Sequence, residues 1–169
     1  MDILFFLIAF FIMIPTAYAA AIGAPPAFTD KSLIEEIIKI SGLKEGETFY
    51  ELGTGTGRVI TAASKRKNVK VIGFELSPPL YFITLFKLKL NRQKNHKMFF
   101  KNFFNADFKK ADVIFCFLMP KTLEKLKKKF LNELKPGTRI VSYVFKIENW
   151  KPYFILKKEN KAAVYFYRI

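Results

Sequence analysis

The sequence predicts an α/β fold, a doubly wound sheet of seven strands, and three observations carry that prediction. From Thr48 onward short apolar runs alternate with helix-length segments, the pattern that gives a sheet with helices packed against it. A turn with glycines two apart, Gly53, Gly55 and Gly57, joins the first run to the helix after it. The last two runs follow each other without room for a crossover helix, so they are expected to pair antiparallel at one edge of the sheet. A chain of 169 residues suits one domain with a core of its own.

Taken in order, the chain begins with an apolar stretch. Ile3 to Phe28 carries no charged side chain, and Ile3 to Ile14 is almost wholly bulky and apolar. Some 20 such residues cross a bilayer as a helix, so residues 1–22 are expected to form a single-pass transmembrane anchor. Ala17-Tyr18-Ala19 leaves open the alternative of a cleaved signal peptide, although Asp2 and the lack of Lys or Arg before the apolar run fit that poorly. Lysines begin at Lys31, which places the following domain on the cytoplasmic side. Residues 23–28, GAPPAF, read as an extended linker because each proline restricts its neighbour away from helix. The remaining domain is 29–169.

A helix should follow the linker, capped by Thr29 or Asp30, with Ser32 and Glu35 spaced as a capping box and Leu33, Ile34, Ile37 and Ile38 on one stripe. Gly42 ends it. Strands are predicted at Thr48 to Leu52, Val69 to Phe74, Lys97 to Phe100, Val113 to Leu118, Arg139 to Phe145, Tyr153 to Lys157 and Ala163 to Tyr167. Helices are predicted at Arg58 to Lys65, Pro79 to Asn91 and Lys121 to Leu134. Within the second, Phe82, Leu85, Leu88 and Leu90 are expected to face the core and Lys87, Lys89 and Arg92 the solvent, or else anionic lipid.

The glycine turn marks a ligand site, because residues without Cβ permit a tight bend and close approach, and the backbone amides of the helix start are expected to face the ligand. Its pattern, GxGxG, departs from the dinucleotide fingerprint, since Arg58 stands where a sixth-position glycine would; the Gly-Lys pair of a P-loop is also absent. Two carboxylates, Glu51 and Glu75, sit at strand ends 24 residues apart, which fits one strand-helix-strand unit.

A formal charge of +15 implies a basic surface suited to nucleic acid, anionic lipid or acidic protein. The abundance of Lys, Phe, Ile and Asn is equally compatible with AT-rich coding. Lone Cys116 can form no internal disulfide and is expected to pack as a small apolar residue. No Cys/His cluster points to a metal.

The segment TFYELGTGTGR, with an acidic residue two positions before GxGxG, resembles the first motif of the class I S-adenosylmethionine (SAM) dependent methyltransferases, which share a Rossmann-like sheet ending in a hairpin. The resemblance implies SAM as cofactor, held by Glu51 and by Gly53, Thr54, Gly55 and Gly57 of the turn, with Glu75 on the ribose hydroxyls. It puts Asn102 where the family reads the adenine amino group, through its carbonyl oxygen, with Asp107 as the alternative. It also makes the leading helix a cover over the site, with Thr29 near the cofactor. Together with PPAFTDKSLIEEI, IFCFLMPKTLEKL and LKPGTRIVSYVFKIENWKP, the motif resembles the small membrane-attached protein lysine methyltransferases, archaeal broad-specificity and mitochondrial. That likeness spans nearly all of Pro25 to Pro152. Two departures stand out: Thr56 where the branch usually has aspartate, and Glu51 for the commoner aspartate.

Methyl transfer to a lysine would need alignment, exclusion of water and a neutral amine, which a dry apolar pocket promotes. Leu118, Met119 and Pro120 are the candidate pocket wall beside the methyl, and Tyr143 and Trp150 are candidates to flank the acceptor. The resemblance implies a protein substrate, with possible residence of that substrate in a membrane. No nucleic-acid partner is expected, because the anchor holds the domain at a membrane and no NPPY-like base-gripping motif follows the fourth strand; a monomer is expected. A tethered module that no longer catalyses, and a methyltransferase acting on a lipid amine or small molecule, remain the alternatives.

Overall fold

The structure is a computed structural model that describes residues 3, 10, 12–18, 27–92 and 94–169. Most of the expected anchor, and the linker up to residue 26, lie outside the described residues. Residues 12–18 are helical, and among the described residues no helix is long and apolar enough to cross a membrane.

Helix α1 (Lys31–Ile40) opens the domain and buries the predicted stripe Leu33, Ile34, Ile37 and Ile38. Its cap is Asp30, whose carboxylate accepts hydrogen bonds from the Ser32 amide at 2.9 Å and the Ser32 hydroxyl at 2.7 Å. The expected capping box does not form, because Ser32 is already spent on Asp30 and Glu35 turns outward to Arg66 at 3.0 Å. Lys161, then Ser32, hold the Asp30 carboxyl far below the usual carboxylate range.

Strands β1 (Thr48–Leu52), β2 (Lys70–Glu75), β3 (His96–Phe100), β4 (Val113–Cys116), β5 (Arg139–Tyr143), β6 (Phe154–Leu156) and β7 (Val164–Arg168) form one sheet in the order β3-β2-β1-β4-β5-β7-β6. The pairs among β1 to β5 are parallel, and β7 runs antiparallel to both β5 and β6, so the hairpin closes one edge as predicted. Helices α2 (Arg58–Ser64), α3 (Pro78–Leu90) and α4 (Pro120–Glu133) supply the crossovers, and a short 3-10 turn spans Phe103–Asn105. Predicted boundaries move by a residue or two; the larger differences are β4 and β5, which end two residues early.

Neighbouring strand residues point to opposite faces, and the core follows that alternation. Phe49 joins Leu33, Ile37, Ile60 and Phe166 on one face, while Tyr50 joins Ile114, Leu126, Phe130 and Tyr167 on the other. Strands β4 and β5 are buried at every position, as parallel strands covered on both sides must be. Cys116 is one of those positions; burial pushes its thiol up to about 12, so it packs as an inert apolar group. From β1 the chain winds outward to β2 and β3 on one side and to β4 and β5 on the other. A crevice therefore opens beyond the carboxyl ends of β1 and β4, where such sheets bind ligands.

Candidate functional site

The crevice holds a pocket whose floor is the turn after β1. Gly53 and Thr54 donate backbone hydrogen bonds to the Phe74 carbonyl at 3.0 and 3.1 Å, which ties the turn to β2. The Thr84 hydroxyl, fully buried on α3, donates to the Gly55 carbonyl at 2.9 Å. Gly57 caps α2 with φ +74°, and a Cβ there would lie 2.8 Å from Thr84 Cγ2, so only glycine fits. Gly73, beside Glu51 in the β1–β2 register, meets the same limit without unusual torsions. Its Cβ would lie 2.5 Å from Ile60 Cδ1 and from Met98 Sδ and 2.6 Å from Thr54 Cγ2.

Both predicted carboxylates reach this pocket, and the two are only 3% and 6% exposed at Glu51 and Glu75. Glu75 Oε2 accepts from the Gly55 amide at 2.7 Å, and Oε1 accepts from the Leu76 and Ser77 amides at 2.8 Å each. Two amides of the turn are taken within the protein: the Gly55 N–H is bound to Glu75, and that of Gly57 to the Thr54 carbonyl at 2.8 Å. Glu51 is the opposite case. Its Oε2 is buried with no hydrogen-bond partner. Burial raises its carboxyl well above the usual range, the Ile60 amide offsets part of that, and the nearby Glu75 charge raises it further.

Thr54 lines the pocket and its hydroxyl oxygen is likewise buried without a partner. Leu118 forms part of the wall with Phe115 and Phe117. Met119 and Pro120, predicted beside it, are not lining residues: Met119 is the exposed residue that precedes α4, and Pro120 opens that helix. The chain turns away at the end of β4, and only Leu118 is left pointing inward. Asn102 lines the pocket, but its Oδ1 accepts from the Phe104 amide at 3.0 Å and caps the 3-10 turn, leaving one lone pair for a ligand. Asp107, the alternative, lies outside the lining, exposed, and accepts from the Lys109 amide at 2.9 Å.

The structure separates the two aromatics expected to flank an acceptor. Tyr143 meets Phe117 edge-on at 4.9 Å on one face of the sheet. Trp150 packs on Phe130 and Tyr167 on the other face, as an ordinary core ring. Thr29 does line the pocket, held by Arg58, whose guanidinium donates to the Thr29 carbonyl at 3.0 Å and sits 4.7 Å over the Phe28 ring. Thr16, Phe28, Leu80 and Lys101 also line it, and sequence reasoning missed them. The one signal available was Arg58 itself, a long cation in place of a glycine.

The site tests well for SAM on its own atoms. A buried carboxylate oxygen without a partner, in a pocket with an unpartnered hydroxyl and an apolar wall, calls for a cationic, partly apolar ligand with polar groups at one end. The ammonium of SAM's methionine end fits Glu51. Among the described residues no group of His, Cys, Asp or Glu could hold a metal ion.

Comparison with known proteins agrees with that chemistry. A family model described as the ANTKMT methyltransferase domain matches residues 51–154. A protein-lysine N-methyltransferase of Saccharolobus islandicus is 34% identical over 146 residues, covering 83% of this chain and 91% of the relative. A lysine N-methyltransferase of Xenopus laevis, named for ATP synthase, is 26% identical over 75% of this chain, which spans 55% of that protein's length. An RNA methyltransferase from Salinibacter ruber, solved with S-adenosyl-L-homocysteine, superposes with a TM-score of 0.79 at 26% identity, covering 85% of this chain and 94% of that one.

Proposed function

The chain belongs to the ANTKMT methyltransferase domain family and is a SAM-dependent methyltransferase, and from that premise we propose that it methylates lysine side chains of proteins at a membrane. The observation that carries the lysine reading is the apolar wall of the pocket, Phe115, Phe117 and Leu118. Such a wall favours the neutral form of an amine. A neutral amine needs no base to accept a methyl group.

SAM supplies, when bound, a methyl group already activated for transfer. The protein's part is to hold, orient and dry. Glu51 takes the ammonium end through its open Oε2, and Glu75, its backbone bonds keeping the carboxylate rigid, offers its remaining lone pairs to the ribose hydroxyls. Leu118, Phe117 and Phe115 exclude water where the acceptor enters. A lysine with an ordinary pKa near 10.4 loses its proton to solvent on entering such surroundings, because an apolar wall disfavours the charged form. Alignment then leaves little else for the protein to do.

The relatives named for lysine methylation support the acceptor class. The uncharged stretch Ile3 to Phe28 supports attachment, with residues 1–22 as anchor and the domain on the cytoplasmic side. The experiment is to incubate the full chain with methyl-labelled SAM, membrane proteins and RNA. Label in lysines, absent with the Glu51→Gln variant, is the expected result. Label in RNA or lipid but not in lysine would overturn the acceptor assignment.

A further inference from the structure

The outward face of α3 is apolar, and it borders the pocket. Thr84 and Leu88, four residues apart, are the buried residues of this helix, so positions two away from each turn away from the core. Those positions are Phe82, Phe86 and Leu90, and they are 65%, 63% and 64% exposed. The sequence expectation that Phe82 and Leu90 face the core is corrected by that geometry. Ile83 beside them is also exposed, and Phe100 on the neighbouring edge strand extends the surface through Tyr81, at 5.5 Å from both Phe82 and Phe100. A contiguous apolar surface of this kind marks an interaction site.

The charge around it is one-sided. From residue 76 to residue 106 the chain has no Asp or Glu and six Lys or Arg: Lys87, Arg92, Lys94 and their neighbours Lys89, Lys97 and Lys101. All of these except Lys87 are exposed; Lys87 donates instead to the Thr56 carbonyl at 2.8 Å. The described part of the N-terminal stretch touches the residue before α3. The Thr16 hydroxyl lies 3.1 Å from that of Ser77, the residue that precedes α3, and Ile12, Met13 and Ile14 are exposed.

We propose that α3 and the β3 edge form a docking surface for an anionic lipid bilayer. The ridge of Phe82, Phe86 and Leu90 enters the acyl boundary, and the flanking lysines meet the headgroups. Two features favour lipid over a nucleic acid: Leu90 and neighbouring Ile83 offer no face for base stacking, and the exposed Ile12, Met13 and Ile14 belong to the segment that touches Ser77 before α3. Leu76, Ser77 and Leu80 at the start of α3, and Lys101 and Asn102 after β3, line the SAM pocket. Docking through this edge therefore sets the pocket mouth at headgroup level, and an acceptor would be reached there. That last consequence rests on the lysine reading; the docking itself does not.

The test uses the full chain, which carries an apolar N-terminal stretch able to hold it on vesicles. A fluorophore is placed by Phe86→Cys or, as a control, by Leu131→Cys on α4, an equally exposed apolar position; fully buried Cys116 stays unlabelled. Vesicles are phosphatidylcholine alone or mixed with phosphatidylglycerol, and the quenchers are iodide in water and a nitroxide on lipid. On anionic vesicles the label at 86 loses access to iodide and is quenched from the lipid, whereas the label at 131 stays open to iodide. Replacing Lys89, Lys94 and Lys97 by Gln weakens docking on anionic vesicles by roughly fivefold per lysine, read as loss of that shielding. Three results would each overturn the proposal: a label at 86 open to iodide on anionic vesicles, one shielded without vesicles by the chain itself or a second copy, or one shielded by an RNA oligonucleotide instead. Neither SAM nor an acceptor enters the assay, so its failure and that of the lysine reading are separate.

Discussion

The two walls of the pocket carry the same side chain at nearly the same depth, and they behave in opposite ways. On the β2 wall, Glu75 is saturated: three backbone amides, of Gly55, Leu76 and Ser77, converge on its carboxylate. On the β1 wall, Glu51 has a buried oxygen with no partner, and its carboxyl is raised well above the usual range, first by burial. One carboxylate builds the cradle and the other waits for a cation. Burial alone does not distinguish them; the amides do.

The comparison breaks most sharply at Glu75. Glu75→Ala leaves three amides without their charged acceptor and should cost roughly 3 kcal/mol or more of stability, read by urea denaturation. A loss below about 1 kcal/mol would mean the carboxylate does not hold the turn. Gly73→Ala presses on the β1 wall and its supports together, since its Cβ would lie 2.5 Å from Ile60 Cδ1 and Met98 Sδ and 2.6 Å from Thr54 Cγ2. It should destabilise by about 1–3 kcal/mol through overpacking and weaken SAM binding, while a wild-type melting curve would show that the wall gives way freely.

Glu51→Gln should act in the reverse direction from Glu75→Ala. A carboxyl with a raised folded-state pKa keeps a proton that the unfolded chain releases. Its contribution is therefore full below the ordinary carboxylate range and is lost as pH rises through the window up to the folded-state pKa. Without ligand, the wild type should lose stability across that window, and the Gln variant should gain on it by on the order of 1 kcal/mol at the high end. The variant should also bind SAM at least tenfold more weakly, about 1.4 kcal/mol. Parallel stability curves for the two proteins would contradict the account.

The legibility of this site in sequence follows the same division. Glu51, Glu75 and the glycines were readable because they answer backbone demands: Gly57 must take a left-handed turn against Thr84, and both carboxylates end strands beside the switch point. What a side chain bonds to was not readable. Asn102 lines the pocket as expected, but its bond to the Phe104 amide was not foreseen; Ser32 was expected to pair with Glu35 and is taken by Asp30. Leu118 reaches the pocket while Met119 does not, because β4 ends at Cys116 and the chain turns. Helix α3 misled for a different reason. Apolar residues occupy it almost all round, so no period marks its buried face, and only the packing of Thr84 and Leu88 reveals it.

The most direct test of the central claim is calorimetric titration of SAM into the full chain, with NAD as control, in two buffers of different ionisation enthalpy at a pH within the Glu51 window. Gly55→Val serves as the disabled site, because Gly55 has φ +54° and a valine there is strained and stands in open pocket space. The account predicts roughly micromolar SAM binding, no NAD binding, release of a proton as Glu51 ionises against the ammonium, and loss of binding in a Gly55→Val protein that still melts cooperatively. SAM binding without proton release, or undiminished in Gly55→Val, would contradict it.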